Sequence, residues 1–495
     1  MSKQDGPPAR TVGEAAPLRL RTKFAFGAGS AAETIALFAL SSYALLFYNQ
    51  VIGLPAWMAG LAISVSFVFD GLADPVIGSL SDRTRSRWGR RHPFMFAAPL
   101  PIALFFIAIF NPPAGMGHAL TFIWFMLAVS GLRVSMGFFH TPHLALGGEL
   151  SQSYLERSRV MAWNNFALWF GGTAMSVVSL NLFFRSTPEY PMGLLNPAPY
   201  LPFSLVAAVA VLAILLGSAW FTRDQIPRLP QPSDDTPPFS PFEFFRDVRK
   251  VLANRNYLWL LAGLFALSLM AGFRDALQLY VNTYYWRLSS EQISWFSLGS
   301  FVGYLCGFVL TPRLHAIFSK RQVIIWAAVG NSIFPGLGVT LHLSGFMYDA
   351  GDPRLLPALV AIAAGTFATS AALNISAMSA LADVADENEL KFGLRQEGIL
   401  YSTRALFSKL DVAIGSALAG AFLTFAAFPQ KATPGQVDPA IIERLGWFFG
   451  PILTIPGLIA ACLYAQYRIT KASHAETRAQ IEELRTRRNA ILKAD

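Results

Sequence analysis

Long apolar segments, separated by short polar gaps, run along almost the whole chain. Several reach the roughly 18 residues that a helix needs to cross a hydrocarbon core about 30 Å thick. Backbone polar groups must be satisfied within the bilayer, so this pattern predicts transmembrane helices. The twelve segments are residues 24–50, 56–80, 93–111, 118–147, 160–184, 200–221, 257–286, 293–315, 322–345, 355–382, 396–427 and 445–467.

A polar, proline-rich stretch divides the segments into two groups of six. We therefore predict an all-α integral membrane protein of twelve transmembrane helices in two six-helix bundles, which is the layout of the major facilitator superfamily. The predicted units are an N-terminal segment (1–23), a first bundle (24–221), a linker (222–256), a second bundle (257–467) and a polar tail helix (468–495).

Lysine and arginine cluster in alternate gaps, and the opposite gaps are nearly free of them. The basic gaps precede the first segment, follow the second, form the linker and follow the last segment, whereas 51–56 and 112–117 carry no lysine or arginine. Because positive loops stay on the inner side, both termini are expected in the cytoplasm. The expected location is the inner, cytoplasmic membrane, with several passes through the lipid bilayer.

The composition agrees with a membrane protein. The chain of 495 residues is 54% hydrophobic and 14% charged, against about 25% charged in a soluble domain. The net charge of +9 follows from the orienting loops, so no nucleic-acid partner is expected. The cysteines Cys306 and Cys462 lie in separate apolar segments and predict neither a disulfide framework nor a metal cluster. Residues 1–20 have no apolar core, so no cleaved signal peptide is expected.

Two carboxylates in the second segment are the main functional candidates. Asp70 and Asp74 are four residues apart, which places them on one helix face about one turn from each other. Two anions at membrane depth repel each other, so they require a cation or a proton. A cation-binding site is the favoured interpretation, and a structural ion pair is the alternative. A membrane-embedded enzyme using both carboxylates is an alternative of another class, although the short loops and the absence of a nucleophile–base motif oppose it.

Lys409 lies inside the eleventh segment, with Arg404 and Asp411 close by in the sequence. A buried ammonium needs a counter-ion, and Asp70 or Asp74 is the natural one. Lys409 is therefore expected to hold the empty cation site together, and a fixed salt bridge between the halves is the alternative.

Further polar residues at membrane depth are candidates for a solute pocket. His140 is either a proton carrier or a solute ligand, or else a packing residue. Arg274 and Asp275 either line the pocket or pair with each other, and Gln278 lies one turn further along the same predicted helix. Glu33 in the first segment is another candidate.

Two motifs resemble the glycoside–pentoside–hexuronide:cation symporter family, and the resemblance covers essentially the whole chain. The first is Asp70-Gly-Leu-Ala-Asp74-Pro75 followed by Thr84-Arg85-Ser86-Arg87-Trp88-Gly89-Arg90. The second is Asp383-Val-Ala-Asp386, then Lys391-Phe-Gly-Leu-Arg395-Gln-Glu397-Gly-Ile-Leu-Tyr401-Ser402, ending at Lys409. The resemblance implies a symporter of an organic, carbohydrate-type solute. It also implies that Asp70 and Asp74 bind the cation beside Lys409. The motif residues expected to serve in cytoplasmic gating are Asp82, Arg85, Arg87, Arg90, Arg395 and Glu397.

The chain departs from that family where a galactoside would be bound. The matching positions hold Thr34, His140, Leu144 and Asn165, so simple galactosides are expected to bind poorly. The residues expected to line the pocket instead are Glu33, His140, Asn165, Arg274 and Gln278. A lysolipid or other amphipathic substrate is the alternative, because a lysophospholipid transporter is a distant relative of the family.

The resemblance also implies that the sodium site has fewer ligands than in relatives. Two positions at which relatives offer neutral oxygen ligands hold Ala73 and Gly137. The coupling ion is therefore expected to be a proton or sodium, with the proton favoured. No cofactor, no enzymatic activity and no metal other than sodium at Asp70 and Asp74 are expected. The partners expected are a small solute and the coupling cation, with the protein acting as a monomer.

Overall fold

The computed structural model describes residues 18–151, 153–229, 246, 248–249, 251–392 and 397–494. Within these ranges, twelve helices are long and apolar enough to span a membrane, which confirms the predicted count. They are α1 (Leu20–Ile52), α2 (Ala56–Arg83), α3 (His92–Phe110), α4 (His118–Glu149), α5 (Glu156–Phe183), α6 (Tyr200–Arg228), α7 (Arg255–Tyr285), α8 (Ser290–Ile317), α9 (Lys320–Leu343), α10 (Leu355–Leu390), α11 (Ile399–Phe425) and α12 (Pro439–Tyr464). A further helix, α13 (Lys471–Ala494), follows them.

The start of α12 differs from the prediction, which began this helix at residue 445. The side chain of Asp438 accepts a hydrogen bond from the backbone N–H of Ala440 at 2.9 Å, and Pro439 occupies the first turn. An aspartate N-cap followed by proline is a favourable helix start. The helix therefore begins six residues before its apolar segment. Most of the predicted N-terminal segment and linker lies outside the described residues.

The helices form two halves, α1–α6 and α7–α12, joined mainly by α2 against α11 and α5 against α8. Small residues allow the closest approaches within a half. A Cβ atom at Gly299, Gly303 or Gly307 of α8 would collide with the backbone of α10. Such small-residue contacts replace the hydrophobic driving force that lipid-facing helices lack.

An even number of spans places the start of α1 and the end of α12 on one side, which we call the terminal side, opposite the distal side. One apolar core fills the first half and continues into the second through distal residues such as Tyr284 and Phe428. The terminal parts of the second half, including Tyr257 and Tyr464, form a separate core. Within the part of the chain that the structure describes, the halves therefore share a core only on the distal side.

The contact between α2 and α11 shows the same divergence. At Gly60 a Cβ atom would lie 2.7 Å from the carbonyl oxygen of Ser416, so the backbones touch. At Gly71 the nearest atoms of α11 are the ends of side chains, and at Gly78 the only neighbour within 4 Å is Thr141 of α4. The two helices thus separate toward the terminal side.

A hydrogen-bonded clamp closes the distal side. Gln50 is 4% exposed and connects the halves through three contacts. Its carbonyl oxygen accepts from the Tyr284 hydroxyl at 3.0 Å and from the backbone N–H of Ala432 at 2.8 Å, and its amide donates to the Pro429 carbonyl at 3.0 Å. Wider π-helical turns end both α1 and α7 here and carry these side chains.

We expect Gln50→Ala to shift the protein toward a distal-open conformation, because it removes three hydrogen bonds that exist only when this side is closed. At about 1 kcal/mol for each bond, the equilibrium should move at least tenfold. The shift is measured as spin-label distances between Ala114→Cys and Asp349→Cys with the native cysteines replaced. Gln430→Ala is the control, because Gln430 is exposed and lies in the same loop as Pro429 and Ala432, which Gln50 contacts. Unchanged distances in Gln50→Ala would show that the clamp does not hold the distal side closed.

Candidate functional site

The three predicted cation-site residues come together between the halves. The ammonium of Lys409 on α11 lies 2.8 Å from Oδ2 of Asp70 and 2.5 Å from Oδ2 of Asp74, both on α2. Their side chains are between 15% and 31% exposed, so this triad is half-buried and still reachable from open space. One turn of helix separates the two aspartates, and the long lysine reaches both.

Helix α4 passes directly beside the triad without contributing a ligand to it. A Cβ atom at Gly137 would lie 3.1 Å from Oδ1 of Asp74 and 4.0 Å from Oδ1 of Asp70. Arg133, one turn earlier, is buried and donates from Nε to the hydroxyl of Ser66 at 2.9 Å. Its guanidinium also lies 3.5 Å from the centre of the Phe67 ring. The triad therefore has no neutral side-chain oxygen from position 137.

Glu33 of α1 and His140 of α4 form a second pair close to the triad. His140 lies about one turn beyond Gly137, the residue of α4 that faces the triad. Nδ1 of His140 lies 3.1 and 3.0 Å from the two carboxylate oxygens of Glu33. The Glu33 side chain is 5% exposed and the histidine 45% exposed, so the ring covers the carboxylate and presents its other edge to open space. With Nδ1–H donating to Glu33, Nε2 is left to meet a solute. His143 is a packing residue, buried against Phe26.

The positions that matched the family's sugar ligands differ in their placement. Thr34 donates its hydroxyl to the Ser30 carbonyl of its own helix, and the Ser30 hydroxyl donates to Asn164 at 2.7 Å. Asn165 and Leu144 are exposed. The structure therefore uses Asn164 for packing and leaves Asn165 exposed on an adjacent face of α5.

Arg274 lies where the sequence analysis did not expect it. It is 3% exposed and donates to the carbonyls of Ser332 and Phe449, each at 3.3 Å, within the second half. Gly336 makes room for it, because a Cβ atom there would lie 3.1 Å from Nη2. Arg274 is therefore turned away from open space and does not line a pocket. The reason is local, since two carbonyls of neighbouring helices accept hydrogen bonds from its terminal nitrogens, although its buried Nε has no partner within the described residues.

The other polar residues of α7 form a stripe on a different face. Asp275 is exposed and makes no hydrogen bond or ion pair within the described residues. Gln278, one turn later, donates to Asn282 at 3.0 Å. An exposed carboxylate at membrane depth is costly against lipid, so we expect Asp275 to face the open space between the halves.

A charge network ties the terminal ends of α2, α3 and α4 together. Oε1 of Glu149 accepts from Arg90 at 2.7 Å and from Arg91 at 2.8 Å, and Arg91 also lies 2.6 Å from Asp82. Arg91 was not among the predicted gating residues, although it follows Arg90 directly. The other members of that prediction are less informative. Arg85 and Arg87 are exposed, and Arg395 and the side chain of Glu397 lie outside the described residues.

Asp411 is an unusual carboxylate that the sequence analysis named only as a neighbour of Lys409. It lies two residues beyond Lys409 and so faces another side of α11. It is fully buried, and neither carboxylate oxygen has a hydrogen-bond partner within the described residues. The backbone of Val412 packs against Gly272 of α7 beside it. Sequence position gave no signal of this burial.

The comparisons with known proteins agree with this architecture. The family model described as MFS/sugar transport protein matches residues 25–471. The chain belongs to this family. It is 28% identical to an uncharacterized symporter of Synechocystis sp. over 94% of this chain and 97% of that one. It is also 23% identical to the isoprimeverose transporter of Lactiplantibacillus pentosus over 95% of this chain and 92% of that one.

A solved structure shows the same fold. The D-xylose–proton symporter superposes with a TM-score of 0.58 over 90% of this chain and 97% of that one, at 15% identity. Membership of the MFS/sugar transport family confirms the predictions of the superfamily fold, of a transporter rather than an enzyme, and of a multi-pass membrane protein. The individual site assignments stay predictions.

We expect Asp70→Asn and Asp74→Asn each to reduce gradient-driven solute accumulation at least tenfold while the protein stays folded. Each change removes one of two charges that hold Lys409 and the driving cation. Accumulation is measured in proteoliposomes, and folding by size-exclusion chromatography and thermal unfolding. Asp349→Asn removes the same charge from a 94% exposed side chain and serves as the control. Wild-type accumulation in Asp70→Asn or in Asp74→Asn would contradict the assignment.

We expect Asp411→Leu to stabilise the protein by about 1–3 kcal/mol, because it replaces a buried carboxyl that lacks partners with an apolar group of similar shape. Stability is measured by thermal unfolding in detergent, with Asp411→Ala as the comparison that leaves a cavity. A lower unfolding temperature for Asp411→Leu than for the wild type would mean that the carboxyl has a stabilising partner.

Proposed function

We propose that the chain is a cation-coupled symporter that carries a carbohydrate-type solute across the cytoplasmic membrane. The observation that carries this proposal is the Asp70–Asp74–Lys409 triad, which joins the halves through charges that a cation can replace. Supporting it are the family membership and relatives whose names describe symporters and a sugar transporter.

Coupling follows from competition at the triad. Lys409 neutralises one carboxylate charge and leaves an excess negative charge between Asp70 and Asp74. A cation that binds there weakens the lysine's hold on α2 and so changes the contact between the halves. A ligand shifts a conformational equilibrium only through such differential contacts.

We propose the proton as the coupling ion. Hard metal cations prefer several oxygen ligands, and neither Gly137, which faces the triad, nor Ala73, which directly precedes Asp74, supplies one from its side chain. A proton needs a single carboxylate oxygen. The Glu33–His140 pair on the neighbouring turn of α4 provides further groups that exchange protons.

The solute site is proposed to lie beside the Glu33–His140 pair, reached from the terminal side. Glu33, His140, Asn165 and Gln278 are the proposed lining residues, with Asp275 in place of Arg274. Because positive loops stay on the inner side, the terminal side is proposed to face the cytoplasm, and the conformation with the distal clamp closed is then proposed to be the inward-facing one. The protein is proposed to work as a monomer, because each chain contains both halves of the site.

The coupling test uses purified protein in liposomes loaded with a neutral glycoside. An imposed proton gradient should drive accumulation severalfold above equilibrium, an uncoupler should abolish it, and a sodium gradient at fixed pH should have no effect. Glycosides and lysophospholipids are compared in the same assay. Sodium-driven accumulation that ignores the uncoupler would overturn the proton assignment, and lysophospholipid transport without glycoside transport would overturn the solute class.

A further inference from the structure

Few positive charges are available in the open space between the halves. Within the described residues, three lysine or arginine side chains lie in the middle of a span, namely Arg133, Arg274 and Lys409. Arg133 is committed to Ser66 and the Phe67 ring, and Arg274 to two backbone carbonyls. Lys409 is shared by two aspartates. None is left free to neutralise an anionic solute.

Negative charges in the same space outnumber their partners. Glu33 is covered by His140, and Asp70 and Asp74 share one lysine. Asp275 is exposed and has no partner within the described residues. Helix α7 therefore presents a carboxylate to the open space while its neighbouring arginine points into the protein.

We infer that the solute site selects neutral polyhydroxylated solutes over their carboxylated or sulfonated counterparts, and that Asp275 is a specificity-determining residue. This inference rests on the proposed function and names the substrate class within it. Hydroxyl groups donate hydrogen bonds to carboxylates, whereas a carboxylate or sulfonate on the solute is repelled by them. With its proton on Nδ1, His140 leaves Nε2 to accept a hydrogen bond from a solute hydroxyl.

Arg404 is the arginine that an anionic solute would have to use instead. It lies near the terminal end of α11 and donates to Asn374 at 3.2 Å. It lies five positions before Lys409, which corresponds to about 7.5 Å along a helix. It is therefore displaced from the level of the triad toward the terminal side. An Arg404→Gln variant separates this route from the proposed one.

The first experiment measures binding of matched pairs by calorimetry, using methyl glucoside against methyl glucuronide and octyl glucoside against octyl glucuronide. The neutral member should bind at least tenfold more tightly. Asp275→Asn should reduce that ratio at least threefold, whereas the control Asp349→Asn should not. Equal or tighter binding of the uronide overturns the inference, and loss of that binding in Arg404→Gln would identify its anchor.

The second experiment tests the charge of the site without using a sugar. Its result therefore tests the inference even if no glycoside binds and the proposed function fails. Ala271→Cys lies one turn before Asp275, in a chain whose exposed Cys306 and Cys462 are replaced by serine. A cationic thiosulfonate should label it at least fivefold faster than an anionic one, relative to a free thiol. Asp275→Asn should lower that preference. Faster labelling by the anionic reagent would refute an acidic site.

Discussion

The pairing of Lys409 with Asp70 and Asp74 is the interaction on which the rest of the transporter depends. Charges at membrane depth are costly unless they are paired, and the one positive charge here lies on the opposite half from the two negative charges that share it. The halves must therefore approach at this level whenever the site is empty. A cation bound to the carboxylates removes that requirement, so the same charges that create a cost in the bilayer also control the contact between the halves.

The position of the triad along the helices explains why it can control the contact between the halves. On the distal side, Gly60 brings α2 against the backbone of α11, and Gln50 connects the two halves. On the terminal side, α2 has separated from α11 by Gly78. The triad lies between these regions, close to the level about which the halves would rock. A small change in its attraction can then be amplified into opening at one side and closing at the other, because packed interfaces switch between discrete arrangements.

Much of the fold followed from the sequence, because bilayer thickness and backbone hydrogen bonding leave few solutions. The relation between Asp70 and Asp74 also followed, since a spacing of four defines one helix face. The side chains that face a neighbouring helix could not be identified in this way. Arg274 faces two carbonyls of other helices, and Asn164 rather than Asn165 faces α1. Such choices depend on which atoms the packed neighbour happens to offer, which spacing along one helix does not contain.

The distal clamp illustrates the same limit at longer range. Gln50 bonds to Pro429 across a separation of 379 residues, and its orientation depends on a π-helical turn that the apolar pattern does not indicate. Neutral amide and hydroxyl groups suit this location for a physical reason. The clamp must release in every transport cycle, and a buried ion pair whose partners separate leaves uncompensated charges. Hydrogen bonds to neutral groups can be exchanged for water at the membrane surface at little net cost. The ion pairs of the triad, by contrast, connect the halves at a site where an arriving cation can compensate for their loss.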